Sequence, residues 1–331
     1  MRCWGNIIMM SLPDFKNKQI VIVFLSYGDK MSFRNDNIVI ADSEGRIKHQ
    51  STCYRLFALF VIGHITVTTG LLQRAKKFGF NLFFFTHGLK FYGCWEYKTE
   101  GNVLLRQKQY SYQGTAIARH IVKNKISCQA LYLKQRRNKP NDLSVTIEKL
   151  YGYANQMTDE RLDFQDILGI EGVASRLYFA NMFDNIEWNG RMPRIKKDIV
   201  NLLLDIGYTL LFNVIDGILN LYGFDVYKGV YHKEFYHRKS LISDIIEPFR
   251  PIIDYQIRKA YNLGQIKTDD FGYIKGQYRL FGKSAIPYIT MLLESILQYK
   301  NDIFIYIQKY YRNFIKEMPI NFYPVFNGES V

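Results

Sequence analysis

EYKTEGNVLLRQ, running from Glu96 to Gln107, separates two hydrophobic periods. Towards the N-terminus the apolar residues come in short β-branched and aromatic runs. KQIVIVFL (18–25), NLFFFT (81–86) and LKFYGCWEY (89–97) read as strands, because such side chains suit a pleated surface. DNIVIADSEGRIK (36–48) reads as two short strands around a Ser43-Glu44-Gly45 turn, and LFALFVIGHITVTT (56–69) as another strand. GLLQRAKKFG (70–79) is a short helix closed by glycine. Towards the C-terminus apolar residues recur every three or four positions, the spacing of a helix face. They do so in TAIARHIVKNKISCQALYL (115–133), VTIEKLYGYANQM (145–157), ILGIEGVASRLYFANMF (167–183) and DIVNLLLDIGYTLLFNVIDGILNLYG (198–223). IIDYQIRKAYNLG (252–264) and residues 285–318 continue the pattern. The reading is an α+β fold: a small N-terminal β-rich domain, residues 18–97, followed by a larger all-α domain, residues 107–331. Residues 98–106 form the linker between them, and residues 1–17 an N-terminal extension. Strands and helices do not alternate, as a doubly wound sheet requires. Neither GxxxxGK[ST] nor GxGxxG occurs, which argues against a nucleotide-driven motor or a dinucleotide enzyme.

The 331 residues are 48% apolar, enough for extensive cores. No apolar run approaches the roughly 20 residues that a membrane helix needs, and MRCWGNIIMM is too short in its apolar stretch for a secretory signal. Cys3, Cys53, Cys94 and Cys128 are well separated, with no CxxC pair, and read as reduced thiols of a cytosolic protein. Lys and Arg outnumber Asp and Glu by 44 to 30, a net charge of +14. A surface of that sign attracts polyanions, nucleic acid above all. Basic runs recur in QRAKK (73–77), LKQRRNK (133–139) and RMPRIKK (191–197).

Chemistry concentrates in GVYHKEFYHRKSLISDIIEPFRP, Gly229 to Pro251. KSLISDIIE reads as a helix start with Ser240 as N-cap. Asp244 and Glu247, three apart, would share a face of that helix. His232 lies in the preceding connection, which is long enough to fold back over the carboxylates. One histidine with carboxylates suits Mg²⁺ or Mn²⁺ and suits structural zinc poorly. On a basic chain such an ion would act on a phosphodiester. An exposed i,i+3 acidic pair with turn histidines would look the same without binding metal. A second carboxylate, Glu171, sits among Leu168, Ile170, Gly172, Val173 and Ala174, and a buried carboxylate is costly unless paired or ligating. A salt bridge to Arg176 or Arg194 would serve equally.

LGIEGVASRLYF (168–179), VNLLLDIGYTLLFNVI (200–215) and GFDVYKGVYHKEFYHRKSLISDIIEPFRPIID (223–254), in this order, resemble the CRISPR-associated protein one family, the integrases that acquire spacers. The resemblance is strong from Leu168 to Asp254 and weaker through the β-region. It does not include MRCWGNII. It implies a small β-domain joined to an α-helical catalytic domain. By its motifs, the metal ligands fall on Glu171, His232 and Glu247, and Asp244 is a catalytic neighbour that supports the site. Arg238 and Lys239 would touch phosphate, while Arg250 and Tyr178 would hold DNA backbone. Phe224-Asp225-Val226-Tyr227 departs from the common turn by lacking its proline, and Asp205 stands where many members carry Asn. The family's reaction is transesterification, joining the 3′-OH of a short prespacer duplex to a phosphodiester at a CRISPR repeat boundary. The implied cofactor is Mg²⁺ or Mn²⁺. The implied partners are double-stranded DNA, a second copy in a homodimer, a further such dimer in a higher assembly, and CRISPR-associated protein two, in a prokaryotic cytoplasm. The edges at 18–25 or 89–97 are the expected places for pairing between copies. A repair nuclease acting on branched or single-stranded DNA would use the same residues, and a silent nucleic-acid scaffold would use none of them.

Overall fold

The computed structural model describes residues 10–328 apart from Asn138, Asn141 and Asn189. Helix α1 (Leu12–Lys16) leads into strands β1 (Gln19–Phe24), β2 (Lys30–Arg34), β3 (Asn37–Ala41), β4 (Ile47–Thr52) and β5 (Leu56–Ile62). Helix α2 (Thr69–Phe78) precedes β6 (Asn81–Phe85) and β7 (Phe91–Trp95). The helical region comprises α3 (Val103–Ser111), α4 (Ala116–Lys134), α5 (Leu143–Gln156), α6 (Phe164–Met182), α7 (Ile199–Tyr222), α8 (Ser240–Ile245) and α9 (Arg250–Asn262). A hairpin of β8 (Gly272–Ile274) and β9 (Gln277–Arg279) precedes α10 (Ala285–Gln298) and α11 (Lys300–Ile315). The α+β reading agrees with this order.

One sheet has the order β1-β5-β6-β7, with β1, β5 and β6 parallel and β7 antiparallel. The other is the antiparallel meander β2-β3-β4. Every residue of β5 and β6 is buried, because both faces of the larger sheet are covered. Phe57, Phe60, Ile62, Phe83 and Phe85 join the core of the helical region. Leu59, Val61, Leu82 and Phe84 face a smaller core closed by Ile38, Ile40, Leu71 and Ala75. The sheet is therefore a shared layer, and β1 and β7 are its edges.

Several expectations shift at element boundaries. Strand β2 was not foreseen; Asn35 and Asp36, both at positive φ (48° and 55°), turn it tightly into β3. The strand expected over 56–69 stops at Ile62, since Thr68 caps α2 by accepting from Leu71 N. The expected linker 98–106 is neither free nor wholly irregular, because α3 begins at Val103. Thr99 Oγ1 and Asn102 Nδ2 donate to the carbonyls of Leu221 (2.6 Å) and Tyr222 (2.9 Å), closing the C-terminal end of α7. Of the expected extension 1–17, residues 1–9 lie outside the described residues. Residues 12–16 form α1, where Phe15 stacks on Phe304 at 4.3 Å. The hairpin β8–β9 interrupts a region read as all-α.

Helix α7 is 24 residues long and apolar enough, by length and composition, to cross a membrane, longer than the apolar runs anticipated. It is instead the central core helix, with 83% of its apolar window buried. Gly207 lets α9 lie against it, since a Cβ there would come within 2.4 Å of Ile253 Cγ2.

Candidate active site

The connection from α7 to α8 is folded around one buried carboxylate. Asp244 is fully buried and accepts from the backbone N–H groups of Val230 (2.7 Å), Tyr231 (3.2 Å) and His232 (2.8 Å). His232 Nδ1 lies 2.7 Å from the same carboxylate. Gly229 is required beside it, because an added Cβ would stand 2.8 Å from Asp244 Oδ2. A ring nitrogen that donates to a carboxylate leaves the imidazole lone pair on the other, here Nε2. Asp244 therefore orients His232 and has no oxygen to spare. Its expected catalytic part is corrected to a positioning one.

Asp244 and Glu247 take different partners. Helix α8 ends at Ile245, and Glu247–Phe249 tighten into a 3₁₀ turn around Pro248. Asp244 is held by the histidine loop, and Glu247 meets Lys125 of α4. Ser240 is not the cap; it opens α8 behind Lys239, and its hydroxyl donates to Lys233 O at 3.2 Å.

Glu247 meets Glu171 across a lysine. Lys125, on α4, places its Nζ 2.6 Å from Glu247 Oε2 and against Glu171 Oε1. Neither Arg176 nor Arg194 pairs with Glu171; Lys125 does. Tyr231 donates its hydroxyl to Glu171 Oε2. Arg250 Nε donates to Glu247 Oε1 at 3.0 Å. Burial opposes ionisation of Glu247, but Arg250 and Lys125 outweigh it and hold its carboxyl at about 2. Burial likewise opposes the charge on Lys125, and Glu247 with Glu171 more than restores it. The segment around Glu171 is buried on one face only: Glu171 lies in line with the buried Ile167, Ala174 and Tyr178, while Leu168 and Val173 are 55% and 45% exposed.

Behind Glu247 lies a second buried carboxylate. Tyr178 and Tyr208 both donate their hydroxyls to Asp254. Burial raises the Asp254 carboxyl to about 6 despite those two bonds and the nearby Arg250. The Arg250 guanidinium lies 4.5 Å over the Tyr208 ring. Tyr178 is fully buried, so it cannot hold a DNA backbone as expected; it braces Asp254. Lys239 is also turned inward, its ammonium between Glu96 Oε1 (2.6 Å) and Asp216 Oδ2. Its reading as a phosphate contact gives way to that of a strut between β7 and α7. Arg238 is exposed.

Glu247, Lys125 and Arg250 form part of the wall of a cavity of about 1030 Å³ that reaches the β6–β7 turn. Lys90, Arg191, Arg194, Lys196 and Arg279 also line it. Among the described residues of the three basic runs, only those of RMPRIKK line this cavity. Arg74 of QRAKK lies over Phe33, and Arg136 of LKQRRNK is buried against Asp184 at 2.8 Å. Asp205 pairs with Arg191 at 2.7 Å and accepts from Arg194 N at 3.1 Å, which fixes that loop. Lys125, Tyr231, Lys90 and the hairpin residue Arg279 were missed from sequence. Only Arg279 carries a local signal, the Lys275-Gly276 turn. Among the described residues, no three His, Cys, Asp or Glu side chains converge closely enough to hold an ion as they stand. Between Glu171 and Glu247 the cation is the Lys125 ammonium.

The chain is similar to known proteins over most of its length. The family model "CRISPR associated protein Cas1" matches residues 22–291. A CRISPR-associated endonuclease Cas1 of Thermodesulfovibrio yellowstonii is 32% identical over 235 residues, 65% of this chain and 74% of that protein. Among solved structures, a Cas6-RT-Cas1–Cas2 complex superposes with a TM-score of 0.77 at 23% identity. That match covers 94% of this chain and 36% of the longer one. A casposase bound to integration product gives a TM-score of 0.75 at 18% identity, covering 94% of this chain and 95% of that one. At such identities the structural likenesses show a shared fold. The match over residues 22–291 shows more: this chain belongs to the Cas1 family of CRISPR-associated proteins.

Proposed function

We propose that the protein is a metal-dependent DNA integrase and endonuclease of CRISPR adaptation, which joins prespacer 3′-OH ends to repeat boundaries by transesterification. One observation carries this reading. Glu171 and Glu247, from separate helices, converge on a single buried cation position, and Asp244 holds the adjacent His232 with Nε2 available.

The donor set fits a hard divalent ion. Two carboxylates and one neutral imidazole suit Mg²⁺ or Mn²⁺. Glu247 Oε2 is buried with the Lys125 ammonium 2.6 Å away as its partner, so this oxygen already faces a cation. Glu171, His232 and Glu247 would hold the ion, which supplies Lewis-acid polarisation of the phosphodiester when bound. The chain's own groups do the rest. Asp244 fixes the histidine tautomer, Tyr231 holds Glu171, and Arg250 holds Glu247 from the other side. Arg191, Arg194 and Lys196 line the cavity beside them, where a DNA backbone would be oriented for in-line attack. Arg238, exposed near the loop, is a further backbone contact.

The superposition with a Cas6-RT-Cas1–Cas2 complex supports a Cas2 partner for this chain, and the casposase likeness supports the joining reaction. The free edges β1 and β7 are where a second copy would pair. The test is incubation with Mn²⁺ or Mg²⁺, a short 3′-OH duplex and a supercoiled plasmid carrying a repeat array. Joining at repeat ends, absent with chelator and in Glu171→Ala, is the expected result. Cleavage without joining, even with the Cas2 partner added, would favour the repair-nuclease reading instead.

A further inference from the structure

Lys125 occupies the place that the proposed ion would take. Its Nζ touches both Glu171 and Glu247, which approach from α6 and from the 3₁₀ turn before α9. The side chain is only 10% exposed, and those of the two glutamates 12% and 5%. An ammonium and a divalent ion cannot both lie between one pair of carboxylate oxygens. Without either, two facing buried carboxylates would repel each other. One helical turn further along α4, Gln129 lines the same cavity, and its side-chain Oε1 is buried with no hydrogen-bond partner. Residues four apart on a helix are neighbours on one face. An unpaired buried acceptor is costly, so a donor arriving there would be favoured.

We infer that Lys125 is a resident counter-cation exchanged for the divalent ion, its ammonium swinging from Glu171 and Glu247 to Gln129 Oε1 at the cavity wall. This rests on the metal reading of the site given above. The exchange has two consequences. Before metal arrives, Lys125 keeps the two carboxylates together, so the helices carrying them are already in place. Once metal is bound, the displaced ammonium adds a positive charge to the cavity face where a phosphate would lie, and Arg250 stands on the same wall. The metal must compete with an internal cation, so the empty protein binds it more weakly than the bare carboxylates would.

Two measurements independent of DNA joining test this. The first is Mn²⁺ binding by electron paramagnetic resonance to the wild type, Lys125→Met and Glu171→Gln, with thermal melts in chelator and in Mn²⁺. The inference expects Lys125→Met to bind Mn²⁺ at least 10-fold more tightly than wild type. Its melting temperature should fall in chelator and recover in Mn²⁺ by more than that of the wild type. The second uses wild type alone, so it stands even where Lys125→Met does not fold. Reductive methylation read by mass spectrometry should leave Lys125 unmodified in chelator and label it when Mn²⁺ is added. Equal Mn²⁺ affinity in wild type and Lys125→Met, or Lys125 labelling indifferent to bound Mn²⁺, overturns the exchange and leaves the metal site standing. Failure of wild type and Lys125→Met alike to bind Mn²⁺ overturns the metal reading itself, and the exchange with it.

Discussion

Two buried aspartates with different environments show how single residues support the site. Asp244 gathers three backbone N–H groups and the His232 ring, so it sets both the loop path and the imidazole orientation. Asp244→Asn keeps the volume but offers one strong acceptor in place of two, and the amide can donate where the carboxylate only accepts. Initial joining rates should drop by about 10- to 100-fold, the usual cost of losing a partner behind a metal-ligating histidine. An unchanged rate would remove Asp244 from this role. Asp254 is the opposite case, a carboxyl raised from 3.8 to about 6 because burial outweighs its two tyrosine donors. A raised carboxyl contributes stability that is complete below 3.8 and is lost as pH rises through about 6, by about 3 kcal/mol. Asn cannot ionise, so the destabilisation caused by Asp254→Asn should shrink between pH 5 and pH 7.5. Urea melts at the two pH values check this, and a pH-independent difference would contradict it. None of these partnerships was visible in sequence beyond His232 and Asp244 themselves. Tyr178 reads as a DNA-backbone contact, yet the fold carries it to a carboxylate 76 residues away.

At the scale of elements, joints between helices and sheet decide where the site groups sit. Lys239 ties Glu96, just after β7, to Asp216 on α7, with its side chain only 17% exposed. Burial opposes the charge on Lys239, and Asp216 and Glu96 overcome it; the same cluster holds Glu96 at about 2, while burial, with Glu96 beside it, pushes Asp216 up. Removing one partner of such a cluster leaves buried charge uncompensated. Lys239→Met is therefore expected to cost about 3–5 kcal/mol in denaturant unfolding. A loss below about 1 kcal/mol, the range of an exposed pair, would show that the strut is solvated. The long helices were legible because 14 or more residues repeat the helical period unambiguously. The three-residue strands β8 and β9 were not, because so short a run carries too little period to separate from loop, and β2, KMSFR, holds only two apolar residues. The i,i+3 spacing of Asp244 and Glu247 did not show which partner each would take, because those partners come from the preceding loop and from α4.

Over the whole molecule, the β1-β5-β6-β7 sheet is the layer on which both cores close. Phe60, fully buried on the helical side, should cost about 3–5 kcal/mol when cut to Ala. Circular dichroism melts that show no shift would mean that this interface is loosely packed. The cavity next to the carboxylates has basic groups from the RMPRIKK loop, the β6–β7 turn and the hairpin. If Arg194 and Lys196 each neutralise one duplex phosphate, replacing both with Ala should lower the slope of log K against log salt by about 1.8. An unchanged slope would place the DNA elsewhere. The sequence alone determined the α+β division and the extent of the long helices, and it singled out Glu171, His232, Asp244 and Glu247 for the site proposed above. Those follow from local period and from short motifs, which the chain carries in consecutive positions. Only the tertiary structure decided that Lys125 stands between two glutamates 46 and 122 residues away, that Tyr178 and Lys239 turn inward, and which basic run faces the cavity. These depend on how α4, α6, α7 and α9 pack against one another. Helix packing brings together residues that no local pattern relates.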